Sequence, residues 1–164
     1  MSIYTLKHGV ANIKNSAGTR SVELGPGPGN FAINGLEAGN VGALAVYNRG
    51  TFLEHVEGPE NEITGTITVL HDGALTAAGV AKWFDGILKT GLWASDATKD
   101  PGGLVWTVDL ELVGTRNAAV ETHTLINCRV RISSYSEGEG GNEAVVEYTA
   151  RGTGSGDAYS FAST

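Results

Sequence analysis

Four histidines, one cysteine and a few close-set carboxylates are the residues of this 164-residue chain best equipped for acid–base, nucleophilic or metal chemistry. His8, His55, His71 and His123 share no spacing that would gather them around a metal ion. Cys128 has no second cysteine to pair with, and it falls on the apolar side of an alternating run, the place of an inert buried thiol. Asp109 and Glu111 lie two residues apart and so share one strand face. General acid–base work needs two carboxylates held in unlike surroundings, whereas acids on a polar strand face are ordinarily solvated. His71-Asp72 precedes Gly73 and reads as a turn in which the Asp side chain bonds the backbone. No Gly-x-Ser-x-Gly elbow, phosphate-loop lysine, His-Glu-x-x-His or Cys-x-x-Cys occurs. The glycine-rich runs have no helix opening behind them to cradle a phosphate. The expectation is a chain that is not an enzyme and takes no cofactor or metal.

The elements that would position these side chains show a period of two. Ile63, Gly65, Ile67 and Val69 alternate with Thr64, Thr66 and Thr68. Leu104, Trp106, Val108, Leu110 and Leu112 oppose Val105, Thr107, Asp109 and Glu111. Ile126, Cys128, Val130 and Ile132 oppose Asn127, Arg129 and Arg131, and Ala144, Val146 and Tyr148 complete the set. Each is the signature of a half-buried antiparallel strand. Weaker strands are expected at 3–8, 18–24, 41–47 and 51–57, the last two joined as a hairpin through Asn48-Arg49-Gly50. One stretch breaks the period: Val80, Trp83, Phe84, Ile87 and Leu88 form the apolar stripe of a helix, with Thr76 as N-cap and Gly91 as left-handed stop. These patterns predict a mainly β fold, a β-sandwich or partly open barrel with one α-helix packed on it. The chain reads as a single domain, 1–164, and Gly152 to Thr164 reads as an arm that is flexible or ordered by assembly.

Composition narrows the partners. Eighteen acids against eleven bases give a net charge of −7, the wrong sign for gripping nucleic acid. The acids cluster at Glu54, Glu57, Glu60 and Glu62 and again at Glu137, Glu139, Glu143 and Glu147. Glycine, at 24 residues, is about twice its ordinary usage, which leaves a lean core that gains from burial against neighbouring subunits. No apolar run approaches the length of a membrane span. Met1 to Lys7 lacks the basic-then-apolar order of a signal peptide, so synthesis in the cytoplasm is expected.

The order of these elements resembles a known family. A threonine-rich strand, Glu62 to Val69, leads to a short helix with Trp83-Phe84 and then Gly91-Leu92-Trp93. A strand carrying Asn127-Cys128-Arg129-Val130 follows, then Ser133-Ser134-Tyr135-Ser136-Glu137-Gly138, then a final strand from Glu143 to Arg151. Over residues 40 to 151 this is similar to the tail tube (major tail) proteins of long-tailed bacteriophages, whose relatives occur in contractile tails, gene transfer agents and type VI secretion. The resemblance implies a structural protein of the virion tail, assembled in the host cytoplasm. Its subunits would form hexameric rings stacked into a tube, contacting one another through a long hairpin and terminal arms. Other tail proteins are implied partners, and DNA would pass through the lumen without specific binding. It further implies Glu54, Glu57, Asp109, Glu111 and Glu121 as lumen-lining acids, and Tyr159 and Phe161 as anchors of an inter-subunit arm. The alternative is a β-sandwich binding module, carbohydrate-binding or adhesin-like, with tryptophans as a stacking platform. Trp83 and Trp106 fall on expected core faces, which leaves Trp93 for that role.

Overall fold

A computed structural model describes residues 8–23, 30–36, 41–60, 62–71, 82–116, 118–139, 142–152 and 158–164. The expected helix start at Thr76 and Val80, the strand residues before His8 and the run Gly25 to Gly29 lie outside them.

The chain is mainly β, a curled sheet forming an open half-barrel with one short helix. Its strands are β1 (His8–Lys14), β2 (Ser21–Glu23), β3 (Asn30–Asn34), β4 (Val41–Asn48), β5 (Thr51–Glu60), β6 (Ile63–His71), β7 (Val108–Arg116), β8 (Ala119–Ser136), β9 (Asn142–Ala150) and β10 (Tyr159–Ser163). Helix α1 spans Lys82–Leu88, and a 3-10 turn follows at Gly91–Trp93. Eight strands form one sheet in the order β2-β1-β7-β8-β9-β6-β3, with β10 also on β8. Strands β4 and β5 form a separate two-stranded sheet. Their turn is the expected one, with Arg49 (φ 50°) and Gly50 (φ 82°) both left-handed. That backbone matches the natural twist of a hairpin.

One face of the main sheet is the core. Ile13, Ile63, Ile67, Val69, Val108, Leu110, Leu112, Leu125, Cys128, Val146 and Tyr148 are buried along it. Trp83 and Ile87 of α1 join them, and Phe84 meets Tyr135 of β8 edge-on at 5.5 Å. The sheet curls around this face. Phe31, on edge strand β3, meets His123 of β8 at 5.7 Å although two strands separate them in the order. Tyr148 lies across Gly65 and donates to the Ala32 carbonyl of β3 at 2.8 Å. A Cβ at position 65 would overlap both that oxygen and the phenol, so glycine is what lets the tyrosine tie down the edge strand.

Four expectations change. The strand expected from Leu104 begins only at Val108. The Asp100 carboxylate accepts the N–H groups of Leu104 and Val105, both at 3.1 Å, and folds them into a tight turn that leaves Leu104 87% exposed. The helix ends at Leu88, with Lys89 (φ 56°) as the left-handed stop two residues before the equally left-handed Gly91 (φ 54°); the Thr90 N–H donates to the Asp85 carbonyl at 3.0 Å, and Leu88 turns out to solvent. Strand β8 does not alternate evenly. Val108 pairs with Cys128 but Leu110 pairs with Leu125, so β8 carries one extra residue there, and Ile126 falls on the opposite face from Cys128. Lastly, Tyr159–Ser163 of the expected arm is a strand of its own sheet, paired with Glu121–Leu125. It continues the line of β9 along β8, where Ala150 pairs with Cys128 and the Gly152 N–H donates to the Ile126 carbonyl.

Candidate functional site

The face of the main sheet opposite the core carries the polar side chains that alternation expels from it: Asn12 and Lys14, Asp109 and Glu111, Arg129 and Arg131, Glu147 and Thr149, Thr64 and Thr66, and Asn34. Its charges are mostly paired across strands. Lys14 lies 2.7 Å from Glu111, to which the Asn12 amide also donates at 3.2 Å. The Lys14 bond outweighs partial burial and holds the Glu111 carboxyl below its usual range. Arg131 grips Glu147 through Nε at 2.7 Å and Nη2 at 2.5 Å, and Arg151 reaches Glu62 at 2.6 Å.

Asp109 sits at the bulge of β8. Burial is the largest influence on it and pushes its carboxyl up, against one hydrogen bond from the Asn127 N–H at 3.0 Å and the more distant Lys14 charge. Asn127 holds the bulge together. Its backbone is left-handed (φ 51°), its amide donates to the Gly152 carbonyl at 2.6 Å, and its Oδ1 accepts from the Thr107 hydroxyl at 3.3 Å. Asparagine tolerates that conformation better than most residues. Behind it, burial and the Asp109 charge push the Cys128 thiol far above its ordinary value, so it stays protonated.

The five acids proposed for one surface therefore separate. Asp109 and Glu111 share the polar face. Glu121 pairs with Gly114 and Ser163, which puts it on the side of Leu112 and Leu125 because the bulge shifts the phase of β8. Glu54 and Glu57 stand in β5, where they pair with Val46 and Ala43 in the separate hairpin, and only their backbone is described. Tyr159 and Phe161 flank His123 of their own chain, with ring centres 5.9 and 5.1 Å away, and the Tyr159 hydroxyl bonds His123 Nδ1 at 2.8 Å. Among the described residues no group of His, Cys, Asp or Glu is placed to hold a metal ion.

The tryptophans do not form a sugar platform. Trp83 and Trp93 are buried, and Trp106 packs edge-on to Trp93 at 6.3 Å. The expectation that Trp93 stands free is thus corrected, because the 3-10 turn folds it into the core. Beneath this pair lies a carboxylate that alternation gave no reason to single out. Asp96 is 8% exposed and accepts from the Thr98 N–H at 2.8 Å and the Asn15 amide at 3.0 Å. Burial is the largest single influence and raises its carboxyl. The combined bonds from Thr98 and Asn15, with the nearby Trp106 indole, overcome it and hold Asp96 below its usual range. Asp96-Ala97-Thr98, an Asp bonding the N–H two residues on, was the available signal. Arg129, exposed beside Thr149, was likewise missed, since its neighbours are set by strand register and not by its own strand.

No protein-family model matches the chain, and no curated protein matches it significantly.

Proposed function

We propose that this chain is a tail tube subunit, which assembles into hexameric rings that stack into a hollow conduit for DNA. The observation that carries this reading is the hairpin Val41–Glu60. It pairs with no strand of the main sheet among the described residues, yet its longer strand has ten residues, a reach of roughly 33 Å at 3.3 Å per residue. A lone two-stranded hairpin is marginal in water, so a long one that pairs with no other described strand calls for a covering surface, and in this reading a neighbouring ring supplies it. Strands β2 and β3 end the main sheet among the described residues, and ring closure would pair such edges. The mostly paired charges of the polar face suit a wall over which a polyanion must slide.

Sedimentation and negative-stain images of the concentrated full chain after long incubation test this. Rings or tubes are the expected result, and replacing Val41–Glu60 by a short turn should abolish stacking while leaving the main sheet intact by circular dichroism. A chain that stays monomeric with native sheet content overturns the reading.

A further inference from the structure

Two shallow hollows on the polar face, of about 360 and 290 Å³, share Glu147, Tyr148 and Thr149 in their walls and so form one trough across β8, β9, β6 and β3. Strand register sets its floor. Arg129 pairs with Thr149, Thr149 with Thr64, and Thr64 with Asn34, so a guanidinium, two hydroxyls and an amide stand in one line. At about 4.8 Å per strand the line is roughly 14 Å long. The next line holds Arg131, Glu147 and Thr66. The charges of this face differ in one respect that matters. Lys14 and Arg131 are each neutralised by a carboxylate, while Arg129 is exposed and makes no ion pair or hydrogen bond among the described residues.

We propose that this trough is a sequence-independent contact for the phosphodiester backbone of a nucleic acid, with Arg129 as its cation and Thr149, Thr64 and Asn34 as its neutral donors. An arginine fork matches phosphate oxygens in pairs, which a threonine row extends with hydroxyl bonds. The line is longer than one phosphate, so a strand fits it and a free anion fills only part of it. No aromatic ring stands exposed in either hollow to stack a base or a sugar, so the contact reads charge and not sequence. The net charge of −7 keeps the contact weak and mobile. The assignment rests on the tube reading for what brings DNA to this face, while the donors themselves are tested on the dispersed chain.

The test is an NMR titration of the full chain with a twelve-nucleotide oligothymidylate at low and physiological salt, with sodium triphosphate and alginate as comparison probes. The Arg129 Nε–H and the amides of Thr149 and Thr64 should shift together, with log affinity falling by roughly 0.7 per contact for each unit of log salt. Arg129→Gln should remove the response. Glu147→Gln, which frees Arg131, should tighten binding severalfold. Triphosphate should compete only at a higher phosphate concentration than the oligonucleotide. The proposal is overturned if Arg129→Gln binds like wild type, if the shifts map elsewhere, or if alginate or triphosphate binds as well per charge. Failure of the chain to form tubes would defeat the tube reading and leave this titration standing.

Discussion

Asp96 and Asp109 are both carboxylates taken out of water, and they respond in opposite directions. Asp96 is the more deeply buried by exposure, yet its carboxyl is held low, while the half-buried Asp109 is pushed up. The difference lies in the donors. Two hydrogen bonds converge on Asp96, from the Asn15 amide and the Thr98 N–H, and a single N–H faces Asp109. Burial sets the cost of charge, and the count of donors decides whether the charge survives it. The two regions divide their roles accordingly. The Asp96 corner locks the 91–107 excursion to the β1–β2 turn, where Ser16 and Arg20 also bond it at Thr98 and the Leu92 carbonyl. The Asp109 bulge bends a strand that the polar face depends on.

The largest effect should come from breaking the better-satisfied site. Asp96→Ala strands one N–H of the Asn15 amide, whose other N–H keeps the Thr19 hydroxyl, and the Thr98 N–H in the interior, a loss of roughly 3 kcal/mol by the cost of orphaned donors to a charged acceptor. A urea midpoint that falls at unchanged slope measures it, and a loss well under 1 kcal/mol would mean that water replaces the carboxylate freely. Asn127→Ala should come next, at about 2 kcal/mol, since it loses two side-chain bonds and forces alanine to φ 51°. Asn127→Gly restores the backbone alone and should recover about 1 kcal/mol of that loss. Equal losses in both variants would assign the whole effect to the amide.

The pH dependence separates the two acids in sign. A carboxyl held low contributes stability above its unfolded value of about 4, and loses it as pH falls through its lower folded value. Asp96 should therefore destabilise the fold only below about pH 4. A carboxyl pushed up behaves in reverse: its charge costs stability at neutral pH, and the cost is relieved as pH falls through the folded value, above 4. Asp109→Asn should leave the protein as stable as wild type or slightly more so at pH 7, and should flatten the rise between neutral pH and 4. Denaturation midpoints from pH 3 to 8 check both, and a fall in stability of Asp109→Asn at pH 7 would show that its charge is needed.

Much of this fold was legible from alternation alone. β6, β9 and the helix stripe at Trp83 and Ile87 bury the side they were expected to bury, because each is a local period against one apolar surface. What was not legible came from non-local bonds that overrode the period. Asn127 inserts a residue into β8, and so Ile126 and Glu121 change sides. Asp100 captures two N–H groups, and so Leu104 leaves the strand. Of the candidate site, parity alone put Asp109 and Glu111 together, but the line from Arg129 to Asn34 crosses four strands. Only register could draw it, and register belongs to the assembled sheet.

The smallest expected effect on stability belongs to Lys14. Lys14 bonds Glu111 directly and acts on Asp109 only through its field. The pair is partly exposed, so Lys14→Met should cost no more than about 0.5–1 kcal/mol, screened further by salt. The same substitution removes the Lys14 charge that favours ionised Asp109, with no change to the Asn127 bond. The Asp109 carboxyl, followed by carbon NMR, should then titrate at a still higher pH, while Asp96, whose bonds involve no part of Lys14, should titrate as before. A shift of both acids would mean that the field spreads across the sheet. A shift of neither would mean that solvent already screens Lys14 from Asp109, leaving burial and the single N–H to set that carboxyl alone.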